Sequence, residues 1–384
     1  MDLRRRINLF DGQHLDATRL CRINRGQIPV AIFIISLLAI PSLSIAAPTI
    51  TSASGTFANG TSITVSGSNF GIGPNVVFFT DFEQGSAGET ILTGTAGAEV
   101  GAINLVAGTA AYTDSTSISG QNSFQTPMND KWGAVQVVLP DNVTDIYVSY
   151  WTYMPAGDQW PGEGDNPDEA INWKIVWVLG KDINGNPSTA IDDKVIPTVL
   201  GYDTGTNISY MVTGNSQDPA YSKYVNLEFT KGQWIRFSCW IKGDPTYGAM
   251  RFWQTNPLGT ILKTDVTGIA TLRDGGSRKF VNINGYGRIT SSSHPTFDDV
   301  YIATGPQAQA RIEIGNASTY TSCTKLTVAT PTQWSIGQIT ATLWGGWLSN
   351  SNEQPYLYII DAAGNVSTGY KISMPPKISS IKVE

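Results

Sequence analysis

Four acidic residues in two short runs offer the clearest chemistry in this chain: Asp81 and Glu83 in Asp81-Phe82-Glu83, and Asp298 with Asp299 in Phe297-Asp298-Asp299-Val300. Carboxylates gathered without a basic partner repel one another unless a cation lies between them, and calcium accepts roughly six to eight oxygens from such groups. On an extended strand Asp81 and Glu83 share a face. Brought against Asp298 and Asp299, they form a candidate Ca2+ site of structural character; solvated strand ends are the alternative reading of the same residues.

A second acidic run, Asp158 and then Glu163-Gly164-Asp165-Asn166-Pro167-Asp168-Glu169, superficially has the look of a glycosidase acid pair. It does not qualify, because Gly164 and Pro167 break any strand that would hold two carboxylates at a fixed separation. Elimination from a uronic acid needs a neutralised carboxylate and a Tyr or His to move the proton. His294, Tyr286 and Arg288 are the weak candidates for that catalysis, with Arg251 and Lys174 as further cations. His294 stands in Ser292-Ser293-His294-Pro295, where a solvated loop histidine is the plainer reading.

Tryptophans give a different kind of site, since sugars stack their flat C–H faces on indole rings while polar neighbours satisfy the hydroxyls. Trp160, Trp240, Arg251 and Trp253 form the candidate carbohydrate-binding set, each also readable as core or plain surface. Trp240 qualifies through alternation: in Ile235-Arg236-Phe237-Ser238-Cys239-Trp240-Ile241 the apolar Ile235, Phe237, Cys239 and Ile241 share one face and Trp240 takes the other.

The elements that must position these residues are strands. Short alternating runs punctuated by Gly, Asn, Asp and Pro recur throughout, with no convincing amphipathic helix, so the expected fold class is all-β. At the N-terminus, Arg4, Arg5 and Arg6 precede the apolar run from Ile28 to Leu43 and the small residues Ser44-Ile45-Ala46-Ala47, the pattern of a signal peptide over 1–46 cleaved after Ala46. A retained anchor is the rival, but Pro41 leaves the run short of the roughly 20 apolar residues a span needs. The exported chain would keep 19 of the 25 basic and 28 of the 31 acidic residues, a formal charge of −9. Nucleic acid and anionic membranes are therefore poor partners. The expected localisation is secreted or cell-surface.

Pro48-Thr49-Ile50-Thr51 followed by Asn59 to Gly71 resembles the first two strands of the IPT/TIG immunoglobulin-like family. The runs Ala310 to Gly315, Gln338 to Leu343 and Tyr356 to Asp361 resemble its later strands. This implies one discontinuous sandwich, 47–74 plus 307–373, with a second domain at 75–306 and a tail at 374–384; two unrelated β modules flanking a middle one is the alternative. The insert resembles the concanavalin A-like jelly roll of lectins, glucanases and some polysaccharide lyases. The resemblance rests on Asp81-Phe82-Glu83, on Asp145 to Trp151 paired with Asn172 to Trp177, on the hairpin from Trp234 to Trp253, and on Phe297 to Ile302. In jelly-roll carbohydrate-binding modules with the Asp-Phe-Glu and Asp-Asp-Val pattern, it implies a structural calcium. The expected function is recognition of a polysaccharide or surface glycan, with a polysaccharide lyase and a structural or adhesive protein as alternatives. Cys239 and Cys323 lie in different expected domains and read as free thiols, a bridge requiring close Cα atoms.

Overall fold

The computed structural model describes residues 46–126, 133–161, 173–181, 195–199, 209–213, 222–223, 228–272, 274–287 and 293–373. They form strands and short 3-10 turns, with no helix long and apolar enough to cross a membrane among them. The expected signal peptide, apart from its last residue Ala46, and the expected tail lie outside this set.

Both ends of the chain build one seven-stranded antiparallel sheet. Its order is β1 (Thr49–Gly55), β2 (Thr61–Ser68), β20 (Gln338–Leu343), β19 (Leu326–Trp334), β18 (Arg311–Gly315), β21 (Tyr356–Ile360) and β22 (Tyr370–Lys371). The joint between the two ends is the β2–β20 ladder, running from Thr61 opposite Leu343 to Ser66 opposite Gln338. Alternation in β2 turns Ile63 and Val65 inward, where they meet Ile312, Ile314, Ile339, Ala341, Leu357 and Ile359 in one apolar cluster. Burial of these aliphatic side chains, worth about 1.5–3 kcal/mol each, is what holds sequence-distant strands together.

The intervening chain makes a sandwich of two sheets. One is ordered β12 (Ser222–Lys223), β11 (Ser209–Thr213), β10 (Val195–Val199), β9 (Trp173–Lys181), β16 (Ser277–Gly287), β7 (Ala134–Val143) and β4 (Leu105–Ala107). The other is ordered β15 (Gly259–Ile269), β14 (Gly248–Asn256), β13 (Ile235–Lys242), β8 (Ile146–Tyr153), β17 (Thr296–Thr304), β6 (Ser123–Gln125) and β5 (Ala111–Thr113), with β3 (Asn75–Thr80) also paired to β17. The β3–β17 ladder sets Asn75 opposite Thr304, so the insert enters and leaves the terminal sheet at adjacent points. Val135, Val137, Ile175, Val281 and Ile283 of the first sheet face Val148, Phe237, Phe252, Phe297 and Val300 of the second.

Two expectations change here. The runs 145–151 and 172–177 do not pair: β8 bonds β13 and β17, whereas β9 bonds β10 and β16 in the opposite sheet. Both are apolar strands that need cover, and facing each other across the core supplies it as well as lateral pairing would. Nor is Asp81-Phe82-Glu83 a strand. β3 ends at Thr80, and Phe82 takes a left-handed φ of 55° that turns its ring into the core.

The outer face of the second sandwich sheet is covered by the terminal sheet. Phe79, Tyr147, Tyr301, Ala303, Ala308 and Val328 are buried in the seam, and Trp240, Trp253 and Trp344 pack against them. At its centre Glu313 of β18 is fully buried between two guanidiniums. Arg236 of β13 donates to it at 2.7 Å, and Arg311 lies at 3.1 Å. Tyr320 donates to its other oxygen at 2.6 Å, Arg236 also donates to Ser149, and Arg311 lies over the ring of Tyr147 at 4.5 Å. Burial pushes the Glu313 carboxyl up, but Arg311 and Arg236 outweigh it and hold the pKa at about 2.

Removing one partner of such a buried pair leaves uncompensated charge, typically at a cost of about 3–5 kcal/mol. Glu313→Ala, with two arginines stranded, is expected to lose stability of that order in urea unfolding; a change within measurement error would show that the seam does not depend on the pair. Because the folded pKa is depressed, the contribution is complete above the ordinary carboxylate range and is lost as pH falls towards 2.

Candidate functional site

The acidic residues come first. Asp81, Asp298 and Asp299 are buried, at 3%, 0% and 2% exposure, and among the described residues no Lys or Arg forms an ion pair with them. Asp298 accepts from the backbone N–H groups of Ile118 and Ser119 at 3.0 and 3.1 Å, and from the Ser119 hydroxyl at 3.1 Å. Asp299, at a left-handed φ of 47°, has one carboxylate oxygen within 3.5 Å of the Thr327 hydroxyl, while Oδ1 is buried with no hydrogen-bond partner.

Glu83 does not share a face with Asp81. Its carboxylate turns to the loop after β5, accepting from Gln121 and Asn122 N–H at 2.8 and 2.6 Å. Gly120 beneath it takes a left-handed φ of 52°, which favours glycine, and a Cβ there would push the Glu83 carboxylate aside. Glu83 and Asp298 thus clamp opposite ends of the 118–122 loop. The sequence reading missed Glu99, which accepts from the Asp81 N–H at 3.3 Å and from Gln84. Its distance along the chain and the absence of any motif around it gave no signal.

Burial drives the carboxyls of Glu83, Glu99, Asp298 and Asp299 upward. Glu99 reaches about 9 through burial and its contact with Asp81; Asp299 reaches about 7 through burial and the charge of Asp81; Asp298 is pushed well up by burial and by Asp299. The described residues nevertheless form no group of three His, Cys, Asp or Glu side chains that converge as metal ligands. The acids are close enough to disfavour one another's charged forms, which is why their carboxyls hold protons well above the ordinary range.

Of the sugar-binding candidates, Trp160 is buried, whereas Trp240, Arg251 and Trp253 are half-buried where the terminal sheet meets the sandwich. Trp160 is 5% exposed and packs against Phe229 and Trp173, with ring centroids at 5.2 and 6.2 Å, under the ammonium of Lys231. Trp253 stacks under Arg311, and Trp240 lies under Arg251. Arg251 itself is held by Asp265, Gln309 and the carbonyl of Ala363. Alternation correctly separates Trp240 from the Cys239 face; the partner of that second face is the terminal sheet, which sequence period alone does not reveal.

Further along the same outer face, at the end of β8, aromatic surface remains partly open. Tyr153 and Trp234 are half-buried, with centroids 5.4 Å apart, and Trp234 Nε1 donates to the Thr116 hydroxyl at 3.1 Å. Thr296 is registered opposite both Tyr153 and Gln125, and it binds the Gln125 amide at 3.2 Å and the His294 carbonyl at 3.1 Å. His294 has the partner that its loop sequence did not disclose: Asp158 accepts its backbone N–H at 2.7 Å and meets Nδ1 at 2.8 Å. One end of the sandwich therefore gathers an aromatic pair, an amide and a His–Asp pair within a few residues of each other.

Of the other catalytic candidates, Tyr286 is registered opposite Lys174 on β9, and Arg288 lies outside the described residues. So does the acidic run Glu163 to Glu169. Cys239 and Cys323 are both buried and not joined in a disulfide, the former raised to about 12 by burial in the sandwich core.

No family model matches the sequence, and no curated protein matches it. Among solved structures it resembles an endo-β-1,4-glucuronan lyase from the fungus Trichoderma reesei (13% identity, 53% of this chain and 88% of the other, TM-score 0.35). It also resembles alginate lyase vAL-1 from Chlorella virus (12%, 52% and 92%, 0.35) and lectin II from Ulex europaeus (8%, 52% and 92%, 0.33). Each of these likenesses covers about half of this chain at low identity and assigns no role to it.

A carboxyl whose folded pKa exceeds its unfolded value makes the folded state bind more protons, so stability declines as pH rises between the two. With divalent cations removed, the melting temperature is expected to fall from the ordinary carboxylate range up through about 7 for Asp299 and about 9 for Glu99. Asp299→Asn is expected to flatten the lower part of that slope; an unchanged slope would show that folded Asp299 holds its proton no more tightly than an ordinary carboxyl.

Proposed function

We propose that this chain is a secreted glycan-binding protein whose jelly roll docks a polysaccharide at the sandwich end carrying Tyr153 and Trp234. The observation that carries the reading is their half-buried, stacked pair beside Gln125 and His294, an apolar platform with polar neighbours able to bond hydroxyls. Trp160, Trp240, Arg251 and Trp253 are assigned to packing instead. Each aromatic contact is worth about 0.5–1.5 kcal/mol, a severalfold change in affinity. In affinity electrophoresis through a panel of neutral and acidic polysaccharides, the protein is expected to be retarded by at least one, and Trp234→Ala and Tyr153→Ala each to weaken that retardation severalfold. Undiminished retardation in both variants would remove the platform from the account.

The contact between Asp158 and His294 favours a second reading, elimination from a uronic-acid polymer. An imidazole oriented by a carboxylate is suited to moving a proton. Release of ultraviolet-absorbing unsaturated product, lost in His294→Ala, would put that reading first; retardation without product keeps the protein a binder.

The terminal sheet is proposed as a discontinuous IPT/TIG-like domain that carries the jelly roll. Ca2+ is proposed as its structural ion. Asp81, Asp298 and Asp299, which do not converge as they stand, would have to turn towards it, the unpartnered Asp299 Oδ1 being the atom most in need of a cation, and Glu83 would remain on the 118–122 loop. A bound calcium supplies positive charge to a buried set of carboxylates. At 100-fold saturation binding stabilises by about 2.7 kcal/mol, so added calcium should raise the melting temperature well above that in chelator, more at alkaline than at acid pH. Equal melting temperatures at alkaline pH would exclude the ion.

A further inference from the structure

Away from the platform, one carboxylate on the terminal sheet bridges two groups able to react with each other. Asn316 follows β18 and Lys325 precedes β19, so the pairing of Gly315 with Leu326 sets them side by side. Glu353, from the loop before β21, accepts from the Lys325 ammonium on Oε1 and from the Asn316 amide nitrogen on Oε2. The amide orientation is fixed independently: Asn316 Oδ1 accepts the backbone N–H groups of Thr324 and Lys325 at 2.9 and 3.1 Å, and Nδ2 also donates to the Thr324 hydroxyl at 2.9 Å.

From this geometry we propose that Lys325 and Asn316 form an intramolecular isopeptide bond, with Glu353 as the proton carrier. Lys325 passes a proton to Glu353, and the free amine attacks Asn316 Cγ. The developing oxyanion is stabilised by the Thr324 and Lys325 N–H groups that already hold Oδ1. The C–Nδ2 bond then breaks as Glu353 gives the proton to the departing nitrogen, and the freed carboxylate takes the second proton of the attacking amine before passing it to water. The products are an amide linking the two side chains and one ammonia; no electrons are exchanged and no co-reactant is needed. Holding amine and amide on one carboxylate replaces a bimolecular encounter by an intramolecular one.

Lys325 and Glu353 are 36% and 40% exposed, and Glu353 is held below the usual carboxylate range, chiefly by Lys325 against the opposing effect of burial. The resting state is therefore the ion pair. The bond forms slowly after folding and faster at alkaline pH, where more free amine is present. Closing residues 316 to 325 fastens β18 to β19 beside the seam.

The test is peptide mapping of the full chain, as purified and after incubation at neutral and alkaline pH. The expected result is a tryptic fragment in which cleavage after Lys325 has failed and the mass is lower by one ammonia. Its share should rise severalfold with time and pH, and it should be absent from Glu353→Gln and Lys325→Arg. The second variant retains the ion pair and so separates chemistry from folding. Full cleavage at Lys325 with an unmodified mass would overturn the proposal. So would ammonia loss with cleavage intact, which would mark cyclisation of the asparagine on its own backbone.

Discussion

The ion pair of Arg236 with Glu313, tightened by Arg311, is the constraint on which the arrangement of the molecule turns. It lies where an outer sheet face of the jelly roll meets β18 of the terminal sheet, and all three side chains are buried. An ion pair in that position is a poor source of net stability compared with apolar packing, because desolvation offsets most of the attraction. Its consequence is registry. Among the described residues Glu313 pairs with no cation but Arg236 and Arg311, and the alignment that joins them also seats Tyr147, Tyr301 and Trp253 against Arg311 and the apolar seam.

That alignment decides which surfaces remain for function. Once β18 and β19 cover the centre of the sheet, Trp240, Arg251 and Trp253 are committed to the junction. Among the described residues the outer face also extends past the junction at the end of β8 and just before β13, at Tyr153 and Trp234. The buried acids lie close to the same edge: Asp298 is registered opposite Trp151, whose indole donates to the Leu326 carbonyl across the seam, and Asp299 meets Thr327 of β19. Domain junction, acid set and aromatic platform are therefore neighbours along one sheet face, from Tyr147 to Tyr153.

The sequence disclosed the strands better than their partners. Alternation in Ile235 to Ile241 identified the core face, because a period of two is imposed by the pleat wherever one side is buried. It could not say whether the opposite face meets solvent or a second layer, and here it meets both. Asp81-Phe82-Glu83 reads as a strand by its residue types, yet the chain turns at Phe82 so that a large ring can enter the core, and the two acids part company. His294 looked solitary because Asp158 reaches it from far along the chain. Glu99 joined the acid set through a turn with no motif. Each miss concerns a long-range contact, and local pattern carries no information about those.

Hydrogen–deuterium exchange with and without a retained polysaccharide tests the central claim most directly. The account predicts new protection at 116–125, at 152–158, around Trp234 and around His294, with 240–253 and 311–315 unchanged because the seam already shields them. Protection confined to 240–253 would mean that the junction opens to take the ligand, and would contradict the assignment of those tryptophans to packing.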